Sequence, residues 1–204
     1  GLLLWLDNND FRTLQILSDA VRKMSEGELL QMEKSRSLNL DENVYFEIIR
    51  NKTASLLASA CGAGAWSTSG DEAMVQKMRD FGEKVGIAFQ IKDDLFDYAA
   101  DNVGKPTGND IKEKKLTLPL IYTINNADKQ TKREIIYIVK NQNKNKAKVD
   151  HVIQQVKAAG GIEYTIGKMN QYKQEALDIL ATFPDSEIKN GFEDLVNFVT
   201  DRKY

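Results

Sequence analysis

The chain has 204 residues, 42% hydrophobic and 28% charged, with a formal net charge of -2. That length supports one sizeable core, and the near-neutral balance excludes both a disordered polyelectrolyte and a protein built around nucleic-acid binding. The single cysteine, Cys61, rules out an intramolecular disulfide and reads as a buried thiol in a reducing compartment. No segment reads as a membrane span or a signal peptide, so a cytoplasmic location is expected. Long periodic segments, only three prolines and no extended alternation of β-branched residues predict an all-α fold in one domain.

In chain order, Gly1 to Leu6 is an apolar run without a starting methionine or cap, which reads as a helix cut in its middle. Asp7 to Asp10 break it, and Asp10 caps an amphipathic helix carrying Phe11, Leu14, Leu17, Val21 and Met24, then Glu26, Gly27, Glu28 and Gln31. Asp41 caps the next, from Asn43 to Trp66, which passes through Lys52 and Thr53 into a stretch rich in Ala, Gly and Ser. Ala54, Ala58, Gly62 and Gly64 are too small to fill a core alone, so either a helix packs very close or something apolar occupies the gap.

Ser69 and Asp71 start a central helix expected to reach about Tyr98. One stripe of it holds Gly82, Gly86, Gln90, Asp93, Asp94 and Asp97. Like charges four residues apart cost a helix roughly 0.2–0.5 kcal/mol, so three carboxylates in little more than a turn call for a cation. A turn with Gly104, Lys105, Pro106 and Gly108 follows, then Asp110, Lys112, Lys114 and Lys115. Mg²⁺ binds through one or two carboxylates plus substrate phosphates, and lysines serve the remaining phosphate oxygens, so the grouping suits a diphosphate held through metal.

Beyond Thr117, Pro119 falls in the first turn of a helix. The polar chain from Asn126 to Asp150 reads as containing an exposed loop around Lys144. His151 lacks a second His or Cys for a metal site. Gly160 and Gly161 end one helix, Pro184 closes the next, and Ser186 to about Arg202 forms the last.

Asp93-Asp94-Leu95-Phe96-Asp97, the Gly104-Lys105 loop and Leu116-Thr117-Leu118-Pro119, with Gln90 three residues ahead, closely resemble the second aspartate-rich motif and following loop of the all-trans isoprenyl (polyprenyl) diphosphate synthases. The resemblance implies an all-α, single-domain bundle of the isoprenoid synthase type with its N-terminal helices missing, residues 1-204 being the C-terminal part. A first aspartate-rich motif and a Gly-Lys-Arg motif of the family occur nowhere in the sequence. By the same resemblance Asp93 is the direct Mg²⁺ ligand, and Asp94 and Asp97 bind metal or its waters. Lys52 and Lys105 hold an allylic prenyl diphosphate, Gln90 and Thr53 line the reacting carbon, and Lys115 matches a substrate-binding lysine. Lys114 stands where the family has glycine, which puts the loop backbone in question. Isopentenyl diphosphate is the second substrate, a homodimer the expected assembly, and the isolated chain is expected not to elongate prenyl chains. Two rivals are a non-catalytic regulatory subunit, which generally loses the aspartates intact here, and a helical interaction protein, which needs no Gly-Lys loop.

Overall fold

The structure, a computed structural model, describes residues 2–38, 40–99 and 107–202, with main chain only for 2–4. Among these residues every regular element is helical. A short α1 (Leu2–Asp7) turns through Asn9 into α2 (Phe11–Ser37), whose first free amides are met by the Asp10 carboxylate, accepting from Thr13 N. Asp41 does the same for α3 (Glu42–Ile49), which runs without a break through a π turn (Arg50–Ala54) into α4 (Ser55–Ser69). In that turn the Ser55 amide donates to Arg50 O, five residues back, so the helix widens locally around Lys52 and Thr53. Nothing in the sequence marks this feature.

Asp71 caps α5 (Glu72–Phe96), which stops two residues short of the predicted end. It is the axis of the fold: α4 lies along one side, α10 (Gly161–Ala181) along another, and α11 (Glu187–Asp201) packs on it around Phe81 and Val85. Ile87 and Ile91 are fully buried, joining Tyr45, Ile49, Leu118, Ile121 and Met169 in one core cluster. Burial of a side chain of this size contributes about 1.5–3 kcal/mol, which fixes the rotation of α5 about its own axis.

Close helix packing accounts for Ala54 and Ala58, which stand against the glycines of α5. A Cβ on Gly82 would lie 2.6 Å from Leu57 O and 2.8 Å from Ala58 Cα, and one on Gly86 only 2.5 Å from Ala54 Cα. Backbone sits against backbone there, and dispersion contacts replace the side chains that are missing.

A second cluster gathers α6 (Asn109–Lys112), α7 (Leu118–Asn126), α8 (Lys129–Asn141) and α9 (Lys146–Ala158) around Ile111, Leu120, Ile124 and Val152. The polar stretch after Asn126 therefore holds a helix, α8, and only four residues of open loop before α9. Asp128 caps α8 through Gln130 N and Thr131 N, and Ile135, Ile138 and Val139 make a narrow buried stripe beneath lysines and arginine that dominate the local composition. Lys114 adopts the left-handed conformation, φ 58°, and its Nζ donates to Lys140 O at 2.8 Å. The lysine thus takes up the backbone shape that a glycine would adopt freely, and its side chain ties the loop to the end of α8.

Candidate active site

A pocket of about 730 Å³, including its mouth, opens where α2, α3, the π turn, α5 and the segment from α6 to α7 converge. Lys52, Thr53, Gln90, Asp94 and Lys115 all line it. Five of the eight site residues expected from sequence, drawn from three separate stretches of chain, therefore meet at one place. Tyr45 and Asp110, not among those eight, line the same pocket, as do Gln31 and Lys34 of α2.

The π turn and Gly27 bring the basic wall into position. A Cβ on Gly27 would lie 2.7 Å from Lys52 N, so α2 can cross the π turn at this distance only because a glycine stands there. The crossing places Gln31 Oε1 and Glu28 Oε2 each 2.7 Å from Lys52 Nζ. Opposite, Lys115 Nζ lies 2.5 Å from Glu113 and 3.6 Å from Asp110. Both lysines are partly exposed, so these pairs are screened and readily exchanged for phosphate oxygens.

The acidic wall is one hydrogen-bonded chain. Thr53 Oγ1 donates to Gln90 Oε1 at 2.9 Å, Gln90 Nε2 donates to Asp94 Oδ1 at 2.9 Å, and Tyr45 OH donates to Asp94 Oδ2 at 2.7 Å. Asp94 is only 7% exposed. Burial, reinforced by the charges of Asp110 and Asp93, pushes its carboxyl up to about 7, against the two hydrogen bonds that favour the ionised form. Asp110 is raised to about 6, by burial first and then by Asp97, with Lys115 opposing.

The three aspartates of the motif have separate surroundings. Asp93 is paired with Arg202, whose guanidinium also lies over the rings of Phe89 at 4.4 Å and Phe96 at 5.4 Å. Asp97 accepts from Asn109 N at 2.8 Å and Asp110 N at 3.1 Å, holding the start of α6 against the end of α5. Asp94 alone of the three lines the pocket. Lys105 lies outside the described residues.

Among the described residues no group of three or more His, Cys, Asp or Glu side chains is placed to hold a metal ion. The donor set is nonetheless of the kind Mg²⁺ uses, because that ion needs only one or two carboxylates when phosphate oxygens and water complete its shell. Asp94 and Asp110 line one pocket, and burial raises the cost of ionising each. A divalent cation would offset that cost directly.

Comparison with known proteins gives a consistent picture. The sequence model of the polyprenyl synthetase family matches residues 2–156. An octaprenyl diphosphate synthase of Haemophilus influenzae is 31% identical over 195 residues, 95% of this chain and 59% of its own length. A short chain isoprenyl diphosphate synthase of Methanothermobacter thermautotrophicus is 30% identical, covering 94% of this chain and 59% of the relative. Among solved structures, a geranylgeranyl pyrophosphate synthase from Bacteroides thetaiotaomicron superposes with a TM-score of 0.91 at 39% identity, over 98% of this chain and 67% of that one. A polyprenyl synthase from Caulobacter crescentus, solved with calcium and isoprenyl diphosphate, gives 0.90 at 34% identity, over 98% and 62%. The chain thus spans about 59% of the length of both sequence relatives, and with the family match extending over residues 2–156 it belongs to the polyprenyl synthetase family.

Proposed function

We propose that this chain carries the allylic diphosphate side of a trans-prenyltransferase, which condenses isopentenyl diphosphate with an allylic prenyl diphosphate. The observation that carries the reading is the pocket itself, where two lysines face a buried carboxylate and the Thr53–Gln90 pair within a member of this family. In the proposed reaction the allylic C–O bond breaks and its electron pair leaves with the diphosphate. The double bond of isopentenyl diphosphate then closes a new C–C bond onto the cation, and a proton passes to the departing pyrophosphate.

No nucleophile is asked of the protein. Lys52, Lys105 and Lys115 bind and orient diphosphate oxygens, and their fixed positive charge stabilises the leaving group as it departs. Asp93, Asp94 and Asp97 would hold Mg²⁺, directly or through its waters, together with Asp110 of the same pocket wall; Asp93 would first exchange its Arg202 partner, and Asp97, whose oxygens already accept two backbone amides, would act through water. Bound there, the ion supplies positive charge to the leaving diphosphate. Thr53 and Gln90 present oxygen dipoles toward the reacting carbon, while the apolar pocket wall of Ile48, Ile49 and Ile121 limits water. Turnover is proposed to need a second acidic element besides the one on α5, because a diphosphate clamped through metals needs carboxylates on both sides.

The proposal extends to a homodimer and to a cytoplasmic setting. Among the described residues no helix is long and apolar enough to cross a membrane. Phe11, Val21, Leu29 and Met32 are each more than half exposed and fall on one side of α2, the kind of stripe that a second copy would cover. Calorimetric titration with pyrophosphate tests the site: binding is expected in Mg²⁺ and to be lost in chelator, and equal affinity in the two conditions would overturn the metal assignment.

A further inference from the structure

We propose that Tyr45 is a positioning residue of this site, acting through Asp94; the inference rests on the metal and diphosphate reading above. The Tyr45 ring is 5% exposed, packed edge-on against Phe46 at a centroid distance of 5.3 Å, and carried on α3, whose start is fixed by the Asp41 cap. Its hydroxyl therefore has one direction available, and at the end of it stands Asp94 Oδ2, 2.7 Å away.

Without that donor, Asp94 would be held only through Oδ1 by Gln90. A carboxylate with one restrained oxygen can turn about its Cβ–Cγ bond, and the freed oxygen would be buried without a hydrogen-bond donor, a position that costs far more than an average hydrogen bond contributes. With the donor, each oxygen is held by its own hydrogen bond, and the carboxyl is fixed in the wall of the pocket that Lys52 and Lys115 also line. A side chain with two anchored oxygens offers its remaining lone pairs to a cation in one geometry, which is what a hard ion with strict angular demands requires.

The arrangement also joins the two halves of the pocket. Tyr45 lies on α3, which runs directly into the π turn, and Thr53 lies within that turn. The hydrogen-bonded path from Thr53 through Gln90 and Asp94 back to Tyr45 thus begins and ends on the same helical rod, bracketing α5. The acidic residue is consequently registered to the segment that carries Lys52, not only to its own helix.

The test is calorimetric titration of wild type and Tyr45→Phe with pyrophosphate in Mg²⁺ and in chelator, with thermal unfolding of both in chelator. Phenylalanine keeps the ring and its packing and removes only the donor. Hydrogen bonds to charged groups are strong enough that magnesium-dependent pyrophosphate binding should weaken roughly ten- to a hundred-fold, while the variant still unfolds in one cooperative transition, its melting temperature lowered by no more than about 10 °C. Magnesium-dependent binding by Tyr45→Phe as tight as that of wild type would overturn the positioning role while leaving the site assignment standing. Wild type that binds pyrophosphate equally in Mg²⁺ and in chelator would instead remove the site reading, and the role of Tyr45 with it.

Discussion

Asp94→Asn should stabilise the metal-free protein at neutral and alkaline pH while removing its response to metal. The Asp94 carboxyl sits at about 7 in the folded chain against an ordinary 3.8, raised chiefly by burial. A carboxyl whose folded value is raised above its unfolded one imposes a penalty that is absent below the unfolded value, grows as pH rises and is complete above the folded value. Stability of the wild type in chelator therefore falls as pH climbs from about 4 to above 7. The interval from 3.8 to about 7, at about 1.4 kcal/mol per pH unit, sets the full penalty at about 4 kcal/mol. Asparagine carries no charge and retains one oxygen for the Tyr45 hydroxyl, so the variant escapes the penalty. Asp97 and Asp110 are raised in the same direction and titrate in both proteins, so the difference between the two curves reports Asp94 together with its charge coupling to Asp110. Urea unfolding in chelator between pH 4.5 and 8.5 measures it: the proteins should agree at the acid end and diverge steadily toward the alkaline end, the variant being the more stable. Parallel curves would refute the argument, showing that the carboxylate is already compensated. Adding Mg²⁺ and pyrophosphate at pH 8 should raise the stability of wild type and leave the variant unmoved, since a ligand stabilises only the state that binds it.

Gly86→Ala should cost about 1–3 kcal/mol in urea unfolding, because its Cβ would stand 2.5 Å from the backbone of Ala54 and α5 must move to admit it. Gly64→Ala, where nothing lies within 4 Å, should instead gain about 0.5–1 kcal/mol from restricting the unfolded chain, and a loss at Gly64 equal to that at Gly86 would show that close packing is not the reason. Replacing both Val21 and Leu29 by lysine should shift the mass seen by light scattering toward monomer with the helical circular dichroism retained; an unchanged dimer would remove α2 from the interface.

Much of the fold was legible because local physics decides it. Asp10, Asp41, Asp71 and Ser186 announce the starts of α2, α3, α5 and α11 through short-range hydrogen bonds to their own helices, which no distant residue needs to support. The stripe of α5 likewise followed from helical period alone, and the family resemblance of its motif pointed to Lys52, Thr53, Gln90 and Lys115 as site residues before their convergence could be seen. What the sequence left open depends on distances between elements far apart in the chain. Whether Ala54 and Ala58 face a ligand or a helix turns on how near α5 comes, and the backbone contact at Gly82 and Gly86 answers it. The π turn has no compositional mark; it is defined by the hydrogen bond from Ser55 to Arg50, in a segment against which both α2 and α5 pack. α8 was hidden because three buried residues suffice for a helix whose other faces meet water. The three aspartates, equivalent in period, become unlike only in three dimensions. Arg202 arrives from α11 to meet Asp93, α6 turns its amides to Asp97, and Asp94, met by Tyr45 from α3, is left facing the pocket.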